Sequence, residues 1–452
     1  MEKIGAGNHK PGSGSAAALN GILACKLILT VIHLTLEPKR KSKYLNTYGE
    51  CNRIKSEIKD RIAPKLELLF QQDSDQFDKA INKRKDRDAE KNQKIKNLKD
   101  SEALVELKKS TELPLEIADL GVELANFSLY LFDNCFRSAR GDSCVALTNG
   151  LSSITGCISI ISLNLQSFPK NIWTERIKRK RKALRNEYDR LTKENYDRMD
   201  ILEAEAERKN ELHSEILKLK SRLSGKNKLR YIELESLAKD IQNVLWKFRD
   251  LIWKKKVPTH PIGVLNPAKV IKLLKYAYTE VDTLGVTELN DEIGGIIDNQ
   301  NDTILISKMY PSEVKNFTSA HEMAHALLHD DLVLHRDKPL NRPNTSQTRP
   351  TKEKEADKLA SYFLMPEKLV RQIFKQLFLT NNLIISDQTS FALANCSPYE
   401  LRKQIKSKRA FSRLIAKSTF YNLTPFTPIH KIFNVSIEAM AIRLEELNLI
   451  EY

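Results

Sequence analysis

The sequence predicts a mostly α-helical protein: an N-terminal helical bundle, a central coiled-coil or helical hairpin, and a C-terminal α+β domain with a small sheet. Three observations predict it. The first 170 residues are rich in small and apolar residues, as at Ser13 to Leu36 and Ser143 to Ser162, a composition that permits tight helix–helix approach. Residues 171–257 are strongly charged, with apolar positions recurring at three- and four-residue steps. Strand-like signals gather in the last part, where Gly294-Gly295 reads as a turn and Ile304-Leu305-Ile306 as a short apolar strand.

In chain order, residues 1–170 form the first predicted domain. Gly12 and Gly14 let the backbone approach a neighbour closely, and Ser15 is placed to cap the helix that follows. Asp73 to Asp78 follows a long charged helix, a charged insertion spans about 80–110, and Leu113-Pro114-Leu115 opens the next helix. Asp142 precedes a small-residue helix ending at Asn164-Leu165. In the second part, 171–257, Ile177, Leu184, Tyr188 and Leu191, then Leu212, Ile216, Leu219 and Leu223, set the helical period. Gly225 marks the reversal between two antiparallel helices. Pro258, Pro261 and Pro267 form the linker into the third domain, 258–452.

Composition bounds the function classes. At 452 residues the chain is too long for one ordinary domain, and 41% hydrophobic content is enough for sizeable cores. Six cysteines without a Cys-x-x-Cys pair or a disulfide-like rhythm suit a reducing cytoplasm. Leu19 to Leu36 nears membrane-spanning length, but Asn20, Lys26 and His33 interrupt it, so a buried core helix and no membrane association are expected. A net charge of +16 invites nucleic-acid binding. The basic runs, Lys39 to Lys41, Lys83 to Lys99 and Arg176 to Lys182, carry no stacking-aromatic pattern or zinc-finger spacing. Charge runs of this kind are usually solvated helix faces.

The chemistry concentrates in Phe317-Thr318-Ser319-Ala320-His321-Glu322-Met323-Ala324-His325. On a helix, residues four apart stack, so His321 and His325 present two imidazoles to one point. Two neutral imidazoles are half of a tetrahedral zinc site, and Glu322 lies where it can take a proton from the attacking water. Ala324, Ala326, Leu327 and Leu328 supply the apolar face that buries such a helix. A third ligand is expected from the helix starting at Thr351. Glu353, Ala356, Asp357, Ala360 and Leu364 share one stripe there, and Pro366 ends it. Glu353 is the candidate metal ligand. Asp357, one turn on, can accept from the far nitrogen of a ligand histidine and fix its tautomer. Glu355 is the alternative carboxylate, while His329 and His335 would complete an all-histidine site. Tyr362 and His335 are the candidates for stabilising an oxyanion.

These residues, with Leu364-Met365-Pro366 and the ending Ile432-Phe433-Asn434-Val435-Ser436 through Arg443-Leu444 to Leu449-Ile450, resemble the ImmA/IrrE family of zinc metallopeptidases over about 258–452. The resemblance implies a zincin-like domain that binds Zn2+ through His321, His325 and Glu353, with Glu322 as general base. It also implies a specific protein substrate, such as a helix-turn-helix regulator, in bacterial stress or anti-phage control. The N-terminal features, from Lys10-Pro11-Gly12-Ser13-Gly14-Ser15 to Asn164-Leu165, resemble the formiminotransferase-cyclodeaminase family over about 8–168. That likeness implies an all-helical, dimeric domain with a pocket for a folate-like or other anionic small molecule, contributed by Ser13, Ser15, Asp142 and Asn164. Two functions from different classes follow. One is a regulated zinc endopeptidase whose N-terminal domain dimerises and senses. The other is a folate-type cyclohydrolase or small-molecule-binding scaffold carrying a degenerate protease.

Overall fold

The structure, a computed structural model, describes residues 11–223, 226, 228–254, 256–286, 292–329, 335–337 (backbone only) and 350–452. Gly225, the expected reversal, lies outside the described residues. The chain is mostly α, and it divides into two compact units, residues 1–206 and 207–452. The expected segment 171–257 is therefore divided: Ile177, Leu184 and Leu191 belong to the first hydrophobic core, Ile216, Leu219 and Leu223 to the second.

The first unit is all helical: α1 (Ser13–Leu36), α2 (Tyr48–Ser56), α3 (Ala63–Ala89), α4 (Gln93–Asn134), α5 (Arg140–Leu165) and the leading part of α6 (Ile172–Ser221). Pro64 has no N–H to give the Asp60 carbonyl, and the chain widens into a π turn over Glu57–Ile62 before α3. Small residues bring α4 and α5 together: a Cβ at Gly121 would lie 3.2 Å from the Gly150 carbonyl, and one at Gly150 3.1 Å from that of Gly121. Two segments, Ser13–Leu36 and Arg137–Leu165, are long and apolar enough to cross a membrane, and each buries half of its apolar window inside this unit.

Two expectations of helix boundaries are corrected here. The stretch Asp73 to Asp78 lies inside α3, and Pro114 lies inside α4 rather than at its start. Proline within a helix orphans the carbonyl four residues back, here that of Ser110. The Asn164 side-chain amide of α5 donates to that carbonyl at 3.4 Å, so a tertiary partner replaces the bond that the helix cannot make.

Much of the basic surface of this unit is paired. Lys83 meets Glu102, Arg87 meets Asp100, Lys99 meets Glu90 and Arg176 meets Glu112. Such exposed pairs contribute at most about 1 kcal/mol each, but they occupy cations of the two longer basic runs.

In the second unit, α7 (Tyr231–Lys247), α8 (Arg249–Ile252) and α9 (Pro267–Leu273) precede strands β1 (Ala277–Val281), β2 (Gly295–Asp298) and β3 (Thr303–Ser307). Helix α10 (Ser312–Leu328), strand β4 (His335–Asp337) and helix α11 (Thr351–Leu364) follow. The sheet order is β1-β3-β2-β4, with β1 parallel to β3 and β2 antiparallel to both its neighbours. After α12 (Glu367–Phe378) come β5 (Leu383–Ile384), α13 (Asp387–Ala394), α14 (Pro398–Gln404) and α15 (Lys408–Lys417). The chain ends in β6 (Phe420–Tyr421), β7 (Thr424–Pro425), α16 (Ile429–Ile432), α17 (Ile437–Glu446) and β8 (Ile450–Glu451). Buried Arg443 fastens α17 to the end of α11. Its Nε donates to the Met365 carbonyl at 3.0 Å, and its guanidinium lies over the Tyr362 ring.

Candidate metal centre

Helix α10 packs against the sheet, and from Thr318 to Leu328 every residue is buried. Tyr278 of β1 reaches the helix through a 3.1 Å hydrogen bond to Ser319 Oγ. The Ser319 hydroxyl donates to the Lys315 carbonyl at 2.7 Å, so the tyrosine is the donor. At Gly295 in β2 the helix lies close against the strand. A Cβ there would lie 2.8 Å from Glu322 Oε1 and 2.7 Å from Thr318 Cγ2, so only glycine leaves room for the fully buried Glu322 side chain.

The four-residue spacing of the histidines has its expected consequence. His321 Nε2 and His325 Nε2 lie 3.1 Å apart, both rings fully buried. Helix α11 crosses this face and brings Glu353, with one carboxylate oxygen 3.1 Å from His321 Nε2 and the other 3.4 Å from His325 Nε2. One turn along α11, Asp357 Oδ1 lies 3.0 Å from His321 Nδ1. Two carboxylates from one helix face thus address the two nitrogens of a single imidazole.

This geometry fits a metal ion. Tetrahedral coordination at zinc–ligand distances of about 2.0–2.1 Å places ligand atoms about 3.3 Å apart; the two imidazole nitrogens are 3.1 Å apart, and each has one of the two Glu353 oxygens at 3.1 or 3.4 Å. The Asp357 contact suits the same use: a His321 that gives its Nδ1–H to Asp357 keeps the Nε2 lone pair for a metal shared with His325 and Glu353. Among the described residues, His321, His325 and Glu353 form the cluster able to hold a metal.

The structure sorts the remaining candidates. Glu355 points away from the cluster: its Oε1 accepts from the Leu229 backbone N–H at 2.9 Å, and its Oε2 lies 3.4 Å from His329 Nε2. His329 turns its Nδ1 to His325 Nδ1 at 2.9 Å, behind the ligand face. Neither contributes to the cluster, and sequence reasoning assigned neither of these contacts. The recurrence of histidine at 321, 325 and 329, two successive four-residue steps, was the available signal. Tyr362 packs against Arg443, where burial and the nearby Glu446 push its phenol up to about 12. The side chain of His335 lies outside the described residues.

The four N-terminal pocket candidates do not come together. Asp142 and Asn164 stand in the first and last turns of α5, so at 1.5 Å per residue they are about 33 Å apart. Asn164 is committed to the Ser110 carbonyl, and Ser13 is exposed. Ser15 is buried, its hydroxyl 3.0 Å from the Phe70 carbonyl and 3.3 Å from Asp73 Oδ2. Asp73 occupies the space above Gly14, where a Cβ would collide with its carboxyl group. Burial raises the Asp73 pKa above the usual carboxylate value, partly opposed by Ser15.

Comparison with known proteins separates the same two regions. Residues 1–183 match the family model described as formiminotransferase-cyclodeaminase, and residues 287–445 match that described as IrrE N-terminal-like domain, a metallopeptidase family. No curated protein matches the chain. A solved structure of formiminotetrahydrofolate cyclodeaminase from Thermotoga maritima is 16% identical, with a TM-score of 0.38 over 44% of this chain and 93% of that one. That likeness is too distant to bear on the fold or the activity. The chain thus joins a region that matches the formiminotransferase-cyclodeaminase model to a region that matches the IrrE N-terminal-like metallopeptidase model.

Proposed function

We propose that this protein is a zinc-dependent endopeptidase that cuts a specific protein partner. The observation that carries the reading is the convergence of His321 Nε2, His325 Nε2 and the Glu353 carboxylate at 3.1–3.4 Å, next in sequence to a fully buried Glu322. When bound there, Zn2+ would supply a Lewis acid that polarises the scissile carbonyl and lowers the pKa of water. The residues do the rest. Glu322 takes a proton from the attacking water as its oxygen reaches the carbonyl carbon, then returns that proton to the leaving amine nitrogen. Asp357 holds the His321 ring in the tautomer that leaves Nε2 free for the metal. Gly295 keeps the space the Glu322 side chain needs.

The partner proposed is a helix-turn-helix regulator of a bacterial stress or anti-phage response, met in the cytoplasm. The helical unit serves as a dimerising sensor. The alternative, folate-type catalysis in the first unit, draws on the family match but has no convergent set of the four candidate side chains. Co-expression of the chain with candidate helix-turn-helix regulators tests the proposal. Glu322→Gln is expected to retain stoichiometric zinc and to lower cleavage by about 10²–10⁴-fold, because it removes the base and leaves the ligands. Cleavage persisting in both Glu322→Gln and His321→Ala rules the reading out.

A further inference from the structure

Behind the ligand face, three groups form a relay that ends on helix α7's approach. His325 Nδ1 is 2.9 Å from His329 Nδ1, His329 Nε2 is 3.4 Å from Glu355 Oε2, and Glu355 Oε1 accepts from the Leu229 N–H at 2.9 Å. His329 and Glu355 are both buried. Two further bonds hold the backbone of the middle member: the Asn299 amide donates to the His329 carbonyl at 3.3 Å, and Tyr276 donates to Asn299 Oδ1 at 2.8 Å.

The proton positions along this relay are not independent. Two Nδ1 atoms at 2.9 Å share one hydrogen. If His325 is to offer the Nε2 lone pair to a metal, its proton sits on Nδ1 and is donated to His329. His329 must then carry its own proton on Nε2, where the acceptor is Glu355. The carboxylate has lone pairs for both His329 and Leu229, so every donor on the line has an acceptor. His321 receives the equivalent support directly from Asp357.

We infer that His329 and Glu355 are positioning residues: through hydrogen bonds they hold His325 in the ring orientation and tautomer that bind the metal. The inference rests on the metallopeptidase reading, and its test is arranged to separate the two. Partners of this kind are worth about 10–100-fold in metal affinity. The full-length protein is titrated with Co2+, read by its visible d–d spectrum, with Kd from chelator competition. Five proteins are compared: wild type, His321→Ala, His329→Phe, His329→Asn and Glu355→Gln.

His329→Phe fills the ring's space but accepts nothing from His325, so Co2+ binding should weaken about 10–100-fold with an altered spectrum. In His329→Asn the amide oxygen stands near the former Nδ1, so affinity and spectrum should recover toward wild type. Glu355→Gln puts an NH2 against one of two donors, and forces a tautomer change toward His325 or a lost bond at Leu229; it too should weaken binding. Thermal unfolding of the metal-free proteins, similar for the Phe and Asn variants, excludes a merely structural effect. If His321→Ala loses Co2+ while His329→Phe keeps wild-type affinity and spectrum, the inference alone is overturned. Rescue that fails in His329→Asn overturns it too. If wild type and His321→Ala bind Co2+ alike, the metal reading falls and this inference with it.

Discussion

Removing the metal should destabilise one unit of this protein and leave the other unchanged. The ligand set is complete only in the folded chain: His321 and Glu353 are 32 residues apart in sequence yet 3.1 Å apart in the structure. A metal that binds the folded form alone stabilises it by about 4 kcal/mol when free metal is a thousandfold above Kd. For a unit the size of residues 207–452, each kcal/mol moves Tm by about 2–4 °C, so the expected shift is about 8–16 °C. Differential scanning calorimetry of the full chain with Zn2+ and with EDTA measures it. Hydrogen exchange assigns the change, with α10 and α11 losing protection in EDTA and α1 and α5 keeping theirs. His321→Ala should unfold at the EDTA midpoint in either buffer. If EDTA changes nothing in α10 and α11, or destabilises α1 and α5 instead, the three donors do not form a metal site.

Three further outcomes are expected. Gly295→Ala introduces a Cβ 2.8 Å from Glu322 Oε1 and 2.7 Å from Thr318 Cγ2; displacing the base by up to 1 Å should cost about 100-fold in cleavage while zinc content stays at wild-type level. Asn164→Ala leaves the Ser110 carbonyl buried without the Asn164 donor and should cost about 1–3 kcal/mol in denaturant unfolding. The loss should shrink in a Pro114→Ala background, where the helix regains its own N–H; equal losses in both backgrounds would deny the compensation. Asp73 titrates above its unfolded value, so its neutral form is favoured in the fold. Its contribution is full below the unfolded pKa and is lost as pH rises through the folded one. Asp73→Asn cannot ionise. Relative to wild type it should therefore be more stable at pH 7 than at pH 4, and a difference of the opposite sign would refute the assignment.

Local rules made the heart of the candidate site legible. Histidines four residues apart must stack on a helix, and a stripe holding Glu353 and Asp357 must present both carboxylates to one side. The choice between Glu353 and Glu355 was readable from the same stripe, since the second points elsewhere on the helix. The contacts of His329 were not legible, because they depend on where α10 stops and on a carboxylate from another helix. Pro114 misled for a related reason: a proline reads as a helix start unless a distant donor satisfies the carbonyl it orphans, and Asn164 is 50 residues further along the chain.

The sequence by itself determined the helical class, the two family regions and the residue types able to bind a metal and move a proton, because periodicity and spacing are properties of single elements. Only the tertiary structure decided which side chains meet. It set Glu353 against both imidazoles, tied His325 through His329 to Glu355, left Gly295 as clearance for Glu322, and committed Asn164 to the Ser110 carbonyl. Contacts of that kind depend on how helices cross, and crossing is fixed by the packing of whole faces rather than by any local run of residues.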